Sequence, residues 1–223
     1  MGDINQLIFI KKYSEQLTGP YLEVGSKDYG STQDLRKLFA GGGKYIGIDA
    51  EDGPGVDMVL DLTENFDKID AKFNGRRFGT IFCLSVLEHC ENPFKMAENM
   101  TRLLQDKGRI CLSVPFSWKI HAYPCDYWRF TPEGIKRLFP KMEFDPDKTL
   151  AATPKKGEFN KIDDELGRIT FSLSVHWKQG HFLRGIFAKI HKLFSRLGIG
   201  LFAGYRNVMV PTNILMLGRL KDT

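Results

Sequence analysis

Cysteine is scarce in this 223-residue chain: there are four, at positions 83, 90, 111 and 125, and no two form a C-x-x-C pair. That excludes a disulfide framework and the thiolate zinc modules. Cys83 and Cys111 lie inside apolar runs and read as buried, reduced thiols; no metal site is expected. Long hydrophobic runs are missing too, none approaching the roughly 18 uninterrupted apolar residues of a membrane span. The start, Met1-Gly2-Asp3-Ile4-Asn5, has no basic stretch leading into an apolar one. No secretory leader is therefore expected, and the cytoplasm is the expected compartment. Internal repeats and low-complexity tracts are absent. So is the G-x-G-x-x-G fingerprint, which counts against nicotinamide or flavin chemistry.

What is present suits one large domain over residues 1–223 with a well-buried core. Apolar residues make up 42% and charged residues 26%, ordinary for a soluble globular chain. Residues 3–18 read as an amphipathic helix capped by Asp3 and stopped by Gly19-Pro20. Short strands are expected at 21–25, 44–49, 56–61, 78–84, 108–114, 143–150 and 208–217, with helices at 32–40, 93–106 and from Thr131-Pro132 onward. Strands alternating with helices predict an α/β fold: a mostly parallel sheet with helices on both faces. In such sheets a ligand lies beyond the carboxyl ends of the strands, where strand order reverses.

Those ends carry the chemistry. Glu23-Val24-Gly25-Ser26 runs from a strand into a glycine turn, where backbone can approach a ligand closely. Alone it is more often a plain turn. Asp49 ends the second strand, 24 residues after Gly25, where a carboxylate can accept from both hydroxyls of a ribose. Asp61 ends the third, within reach of an adenine edge. Alone, each acid is a cap or a solvated charge; together with the glycine turn they favour a nucleoside site.

The stretch Phe78-Gly79-Thr80-Ile81-Phe82-Cys83-Leu84-Ser85-Val86-Leu87-Glu88-His89 resembles the fourth-strand motif of class I S-adenosylmethionine-dependent methyltransferases, and Leu103-Leu104-Gln105-Asp106-Lys107-Gly108-Arg109-Ile110 is similar to their turn before strand five. The resemblance covers about residues 20–150. It implies a Rossmann-like, seven-stranded sheet whose last strand is antiparallel, and S-adenosyl-L-methionine as cofactor. By the same resemblance, Glu23, Gly25 and Ser26 face the amino-acid part of the cofactor, Asp49 holds the ribose, Asp61 and Leu62 the adenine, and Leu84 the methionine portion. One departure stands out: Lys27 and Tyr29 occupy the places of the second and third loop glycines, with Gly30 one place late. A non-catalytic binding module on this fold is the alternative that the departure supports.

After strand five, Val114 to Pro132 forms a long loop, aromatic and polar at once. Its His121-Ala122-Tyr123-Pro124-Cys125-Asp126-Tyr127-Trp128-Arg129-Phe130-Thr131-Pro132 resembles the H-x-x-P-x-D-Y-W-R-F-T-P stretch of a methyltransferase subgroup linked to cell-surface sugar and lipid biosynthesis. Methyl transfer is an in-line displacement for which protein supplies alignment, and an alcohol acceptor must also lose a proton. His121 is the first candidate base, with Asp126 to orient it or bind substrate. Tyr127, Trp128 and Arg129 are candidate pocket residues, and His89 is a second candidate, for base or substrate contact. The plainer alternatives are an Asp126–Arg129 ion pair that stabilises the loop, and a His89 that only starts a helix. The expected acceptor is a hydroxyl of a sugar, a lipid-linked glycan or glycolipid, or a small metabolite; N- and C-acceptors stay open.

Charge is split along the chain. Residues 1–165 hold 23 Lys and Arg against 26 acids, whereas 166–223 hold nine against one acid, Asp222. Within this tail, 182–197 places Phe182, Leu183, Ile186, Phe187, Ile190, Leu193, Phe194 and Leu197 in one arc of about 140° on a helical wheel, with Arg184, Lys189, His191, Lys192 and Arg196 outside it. Such a helix packs on its own domain or rests on anionic lipid at the inner face of a membrane. No stacking motif interleaves the basic residues, so nucleic acid is not the expected partner. Residues 151–207 are expected as a helical insertion before the last strand, forming a lid or a substrate- or membrane-facing wall.

Overall fold

The computed structural model describes residues 3–30, 35–121, 125–162, 173–178, 180, 182–197 and 211–222. The chain divides into two compact units, one of Met1–Ile162 with Pro211–Thr223 and one of Asp163–Val210.

In the first unit Asp3 caps α1 (Ile4–Tyr13), its carboxylate accepting from the Asn5 N–H at 2.8 Å, while Lys11 and Lys12 sit in the last turn where the helix dipole favours cations. A 3-10 turn, Ser14–Gln16, follows. β1 (Tyr21–Val24), a 3-10 turn at Arg36–Phe39, β2 (Tyr45–Asp49) and β3 (Met58–Val59) come next. Then α2 (Phe66–Phe73), β4 (Phe78–Leu84), α3 (Pro93–Leu103), β5 (Leu104–Pro115), α4 (Pro132–Leu138), β6 (Met142–Ala152) and β7 (Phe159–Lys161) lead toward β8 (Asn213–Leu220).

The sheet has eight strands in the order β3-β2-β1-β4-β5-β8-β6-β7. β1 to β5 pair in parallel and β8 is antiparallel to both β5 and β6. This is the mostly parallel Rossmann-like α/β sheet with the antiparallel last strand. It gains one short edge strand, β7, which pairs antiparallel with β6 through only three residues. Phe159-Asn160-Lys161 has no alternation to announce it. Order reverses between β1 and β4, which are neighbours although two strands separate them in sequence.

Other boundaries shift for identifiable reasons. The helix expected over 93–106 stops at Leu103, because Leu104 is captured by pairing with Phe78 of β4. Lys107 then adopts a left-handed conformation (φ +60°) that no helix continues through. β3 shrinks to two residues, since the Asp57 N–H and side chain both bond to Gly47 instead of extending a ladder. α2 escapes the sequence patterning because it is short and largely charged, with only Phe66, Ile69 and Phe73 buried. Residues 208–210 of the expected last strand and 32–34 of the expected second helix lie outside the described residues.

One face of the sheet packs Phe82, Leu84, Cys111 and Leu215 against Phe9 and Ile10 of α1, along with Leu35 and Phe39 around the 3-10 turn. The alternate positions Leu22, Ile81, Cys83, Ile110 and Leu112 point the other way and are also buried, with α3 in contact with β5 and α4 with β6. α1 is held by polar pins as well. Buried Asn5 donates to the Thr153 and Lys155 carbonyls at 3.0 and 3.3 Å and accepts from the Gly157 N–H at 2.7 Å. Buried Gln6 donates to the hydroxyls of Ser85 and Ser113, at 2.7 and 2.9 Å. These bonds draw the start of α1 over the carboxyl ends of β4 and β5.

The second unit contains α5 (Leu173–Lys178) and α6 (Phe182–Arg196), with the Trp177 and Phe182 rings edge to face at 4.8 Å. Along α6, Leu183, Phe187, Leu193 and the following Leu197 are 56–71% exposed. No helix among the described residues is long and apolar enough to cross a membrane.

Candidate active site

The carboxyl ends of β1, β2 and β4 open into a cavity of about 1250 Å³ at the point where strand order reverses. Its floor is set by Gly25. The residue has φ +74°, and a Cβ there would come within 2.3 Å of Val86 Cγ2. Only glycine meets both conditions. The Gly25 and Ser26 N–H groups both donate to the Ile48 carbonyl, at 2.9 and 3.0 Å, which folds the turn back against β2.

Asp49 stands at the tip of β2 and lines the cavity. Its two carboxylate oxygens accept from the Lys27 and Glu51 backbone N–H groups at 3.2 and 3.1 Å. Each oxygen keeps further acceptor capacity, so the group is oriented but not used up. Lys27 pairs with Glu51 at 2.6 Å, and its ammonium lies 5.4 Å from the Tyr29 ring centre. The two residues that replace loop glycines thus face each other along one wall.

Asp61, Leu62 and Thr63 form the edge beyond β3. Asp61 accepts from the Thr63 N–H and hydroxyl, both at 2.8 Å. Fully buried Asn99, from α3, donates to the Leu62 and Glu64 carbonyls at 2.7 and 2.9 Å and holds that turn in place. Leu84 lines the cavity at the tip of β4, and Ser85 after it has φ +57°. A non-glycine residue held there is strain stored at the edge of the cavity; the Gln6 bond described above fixes it. Glu23 and Ser26 are not on the cavity wall. Glu23 accepts from the Tyr45 hydroxyl at 2.8 Å, and Ser26 is buried toward Gly47.

The same cavity is also lined by Glu88, His89 and His121. Glu88 and His89 lie on a 3-10 turn, Leu87–His89; His121 arrives from the loop after β5. The two imidazoles meet edge to face, 4.8 Å between centres. Burial lowers the His89 pKa, and its Nδ1 lies 2.6 Å from the Cys125 carbonyl. A carbonyl can only accept, so Nδ1 carries the proton and Nε2 is left facing Glu88 Oε1, 3.8 Å away. Glu88 is completely buried, and among the described residues neither of its oxygens has a hydrogen-bond partner from another residue. Burial pushes its pKa up to about 8.

Asp126 holds His121, accepting from its N–H at 3.0 Å and lying 3.2 Å from Nδ1. Both terminal guanidinium nitrogens of Arg129 grip the same carboxylate, Nη2 at 2.7 Å. That hydrogen bonding to Arg129 pulls Asp126 far below the usual carboxylate range. The ion pair and the histidine-orienting role weighed from sequence as alternatives therefore coexist. The loop is locked to the 3-10 turn by the Tyr127 N–H donating to the Glu88 carbonyl at 2.8 Å and the Trp128 indole donating to the Cys90 carbonyl at 2.8 Å. Tyr127, Trp128 and Arg129 do not line the large cavity; with Trp118 and Ile120 they line a shallower hollow of about 390 Å³.

Several site residues had no signal that sequence reasoning used. In sequence Glu88 stands only as part of the resembling motif, and its one cue is an acid directly after the apolar pair Val86-Leu87. Asp3, Ile4, Thr212 and Asn213 also line the cavity. They come from the two ends of the chain, where no local pattern could place them.

No protein-family model and no curated protein matches this sequence. Solved structures do share the fold. A SAM-dependent methyltransferase from Archaeoglobus fulgidus superposes with a TM-score of 0.51 at 14% identity, over 96% of this chain and 94% of that one. The 1,6-didemethyltoxoflavin-N1-methyltransferase of Burkholderia thailandensis, solved with 1,6-didemethyltoxoflavin and S-adenosylhomocysteine bound, gives 0.55 at 13% identity over 98% and 77%. The (4+2)-cyclase SpnF gives 0.54 at 9% identity over 98% and 80%. The likeness is one of fold, and the cyclase illustrates that one fold hosts different chemistries.

Proposed function

We propose that this protein is an S-adenosylmethionine-dependent methyltransferase acting on a hydroxyl of a sugar, a glycolipid or a small metabolite. The carrying observation is a cavity at the strand-order switch lined both by an oriented carboxylate, Asp49, and by His121, which Asp126 holds from outside the wall. The strand tips suit the nucleoside: Asp49 accepts from the ribose hydroxyls, the Asp61–Leu62 edge meets the adenine, and the Gly25 turn leaves room for the amino-acid part. A solved protein of this fold holds S-adenosylhomocysteine, which supports this cofactor for the fold. The cofactor supplies a methyl group on a sulfonium and leaves as S-adenosylhomocysteine.

The histidine and its partners act on the acceptor. Alignment of its oxygen with the methyl carbon is the main contribution the protein makes. His121, turned by Asp126, takes the hydroxyl proton through Nε2 as the new O–C bond forms. Arg129 keeps Asp126 ionised, and Asp126 in turn stabilises the imidazolium. Labelled S-adenosylmethionine incubated with sugar and lipid extracts should transfer label to an alkali-stable ether. Label that appears only on nitrogen or carbon acceptors would overturn the hydroxyl assignment.

A second reading, a binding module that holds the cofactor without transferring methyl, is favoured by the Lys27–Glu51 pair and Tyr29 standing where the resembling loops have glycine. Calorimetric binding of S-adenosylhomocysteine with no transfer to any extract is its signature.

The acceptor's lipid character is supported by α6. Its exposed apolar arc adjoins Lys189 and Arg196 on the polar side of the wheel, the composition of an interfacial helix on anionic lipid. The protein should sediment with phosphatidylserine-containing vesicles at low salt and be released at high salt. Phe187→Glu and Leu193→Glu should each weaken that binding several-fold. Indifference to such vesicles removes the membrane role.

A further inference from the structure

We propose that Glu88, His89 and His121 form a binding site for one divalent first-row transition-metal ion on the wall of the cavity. The assignment goes beyond methyl transfer and stands without it, because the ligand is the metal alone.

Three observations converge. One ligand atom from each residue lies within 4.8 Å of the others. Both imidazoles have Nδ1 committed outside the cluster: His89 to the Cys125 carbonyl at 2.6 Å, His121 to the Lys119 carbonyl at 3.3 Å and Asp126 Oδ2 at 3.2 Å. Metal-ligating histidines are held in this way, with the far nitrogen donating to a carbonyl or carboxylate and the near one left as ligand. Third, Glu88 buries both carboxyl oxygens, and among the described residues no other residue bonds to them. An unpartnered buried carboxyl is costly, and a cation held between it and the two imidazoles is the partner that satisfies it. Around an ion at about 2.1 Å, ligand atoms stand roughly 3.0–3.4 Å apart. Glu88 Oε1 and His89 Nε2, at 3.8 Å, are already close to this. A side-chain shift of His121, which is 20% exposed, closes the remainder.

The donor set selects the metal. Two imidazoles and a carboxylate with no thiolate suit zinc, manganese, iron, cobalt or nickel, and not the all-oxygen preference of calcium or magnesium. Three protein ligands leave a position open toward the cavity. An acceptor hydroxyl bound there loses its proton more readily. In that case His121 serves as ligand, not base, and Asp126 and Arg129 are positioning residues. The absence of C-x-x-C pairs excludes thiolate sites only; this set assembles from the turn after β4 and the loop after β5, which no sequence spacing displays.

The test is calorimetric titration of metal-stripped full-length protein with Zn²⁺, and with Co²⁺ for its visible d–d absorption. One equivalent should bind in the micromolar range or tighter. His89→Gln, His121→Gln and Glu88→Gln should each weaken Zn²⁺ binding at least about 10-fold. Asp126→Asn, which touches no metal and leaves all three ligands present, should also weaken it about 10-fold or more. A His176→Gln/His181→Gln/His191→Gln protein should keep the one equivalent, separating the site from adventitious tail histidines. Zn²⁺ affinity no tighter than millimolar, or unchanged in the ligand and Asp126→Asn variants, overturns the proposal. S-adenosylhomocysteine is titrated separately, so a protein that binds zinc but not the nucleoside refutes the methyltransferase reading and leaves the metal site standing.

Discussion

Gly25→Ala is expected to abolish measurable S-adenosylhomocysteine binding and to cost about 3 kcal/mol of stability. Two effects add. The backbone at φ +74° is one that alanine adopts only at a penalty, and the new methyl would lie 2.3 Å from Val86 Cγ2, far inside van der Waals contact. Relief requires the turn to open away from Val86. Opening breaks the paired N–H bonds from Gly25 and Ser26 to Ile48 and swings the Lys27 amide away from Asp49. Denaturant midpoint and nucleoside calorimetry measure the two consequences. Gly25→Ala combined with Val86→Ala removes the methyl that is struck and leaves the dihedral strain. It should recover about half the lost stability, which apportions the two effects in a double-mutant cycle. A Gly25→Ala protein that is as stable as the parent and binds the nucleoside normally would mean that the turn is free to move and is no cradle.

The second large effect is expected at Asp49. Asp49→Ala removes the carboxylate proposed to accept from both ribose hydroxyls and should weaken S-adenosylhomocysteine binding about 100-fold, a loss of two hydrogen bonds to a charged acceptor. It also releases the Lys27 and Glu51 amides that the carboxylate now holds. Asp49→Asn keeps one acceptor and should lose only about 10-fold. This ordering separates ribose recognition from a purely structural role. If the carboxylate only pinned the loop, both variants would lower stability and the nucleoside would bind with the parent's affinity once folded. Affinity equal to the parent's in Asp49→Ala defeats the ribose assignment.

These two positions were legible in the chain because each is a local event. A strand of four or five apolar-rich residues followed by glycine or aspartate shows both the strand and what stands at its tip. Phe78–Leu84 was readable for the same reason, as a continuous apolar run buried on both faces. Legibility fails where pairing decides. Leu104 is a helix former by residue type, yet β4 captures it for the sheet. β7 exists only because β6 offers an edge to pair with. Asn5 and Gln6 look like ordinary exposed polar residues near a chain start, and their burial is visible only once α1 is seen over β4 and β5.

Local periodicity and punctuation by themselves determined an alternating α/β chain, a mostly parallel sheet, and acids at the tips of the second and third strands. Those are short-range matters of side-chain alternation and turn chemistry, written within a few residues of each other. Tertiary structure alone decided that Glu88 and His89, some thirty residues before His121, line the same cavity with it, that Asp126 serves His121 and Arg129 at once, and that Glu88 is buried with no other described residue bonded to its carboxyl oxygens. Burial and the meeting of distant segments come from how the strands are ordered and how the loop after β5 folds onto the turn after β4. No stretch of sequence contains that ordering.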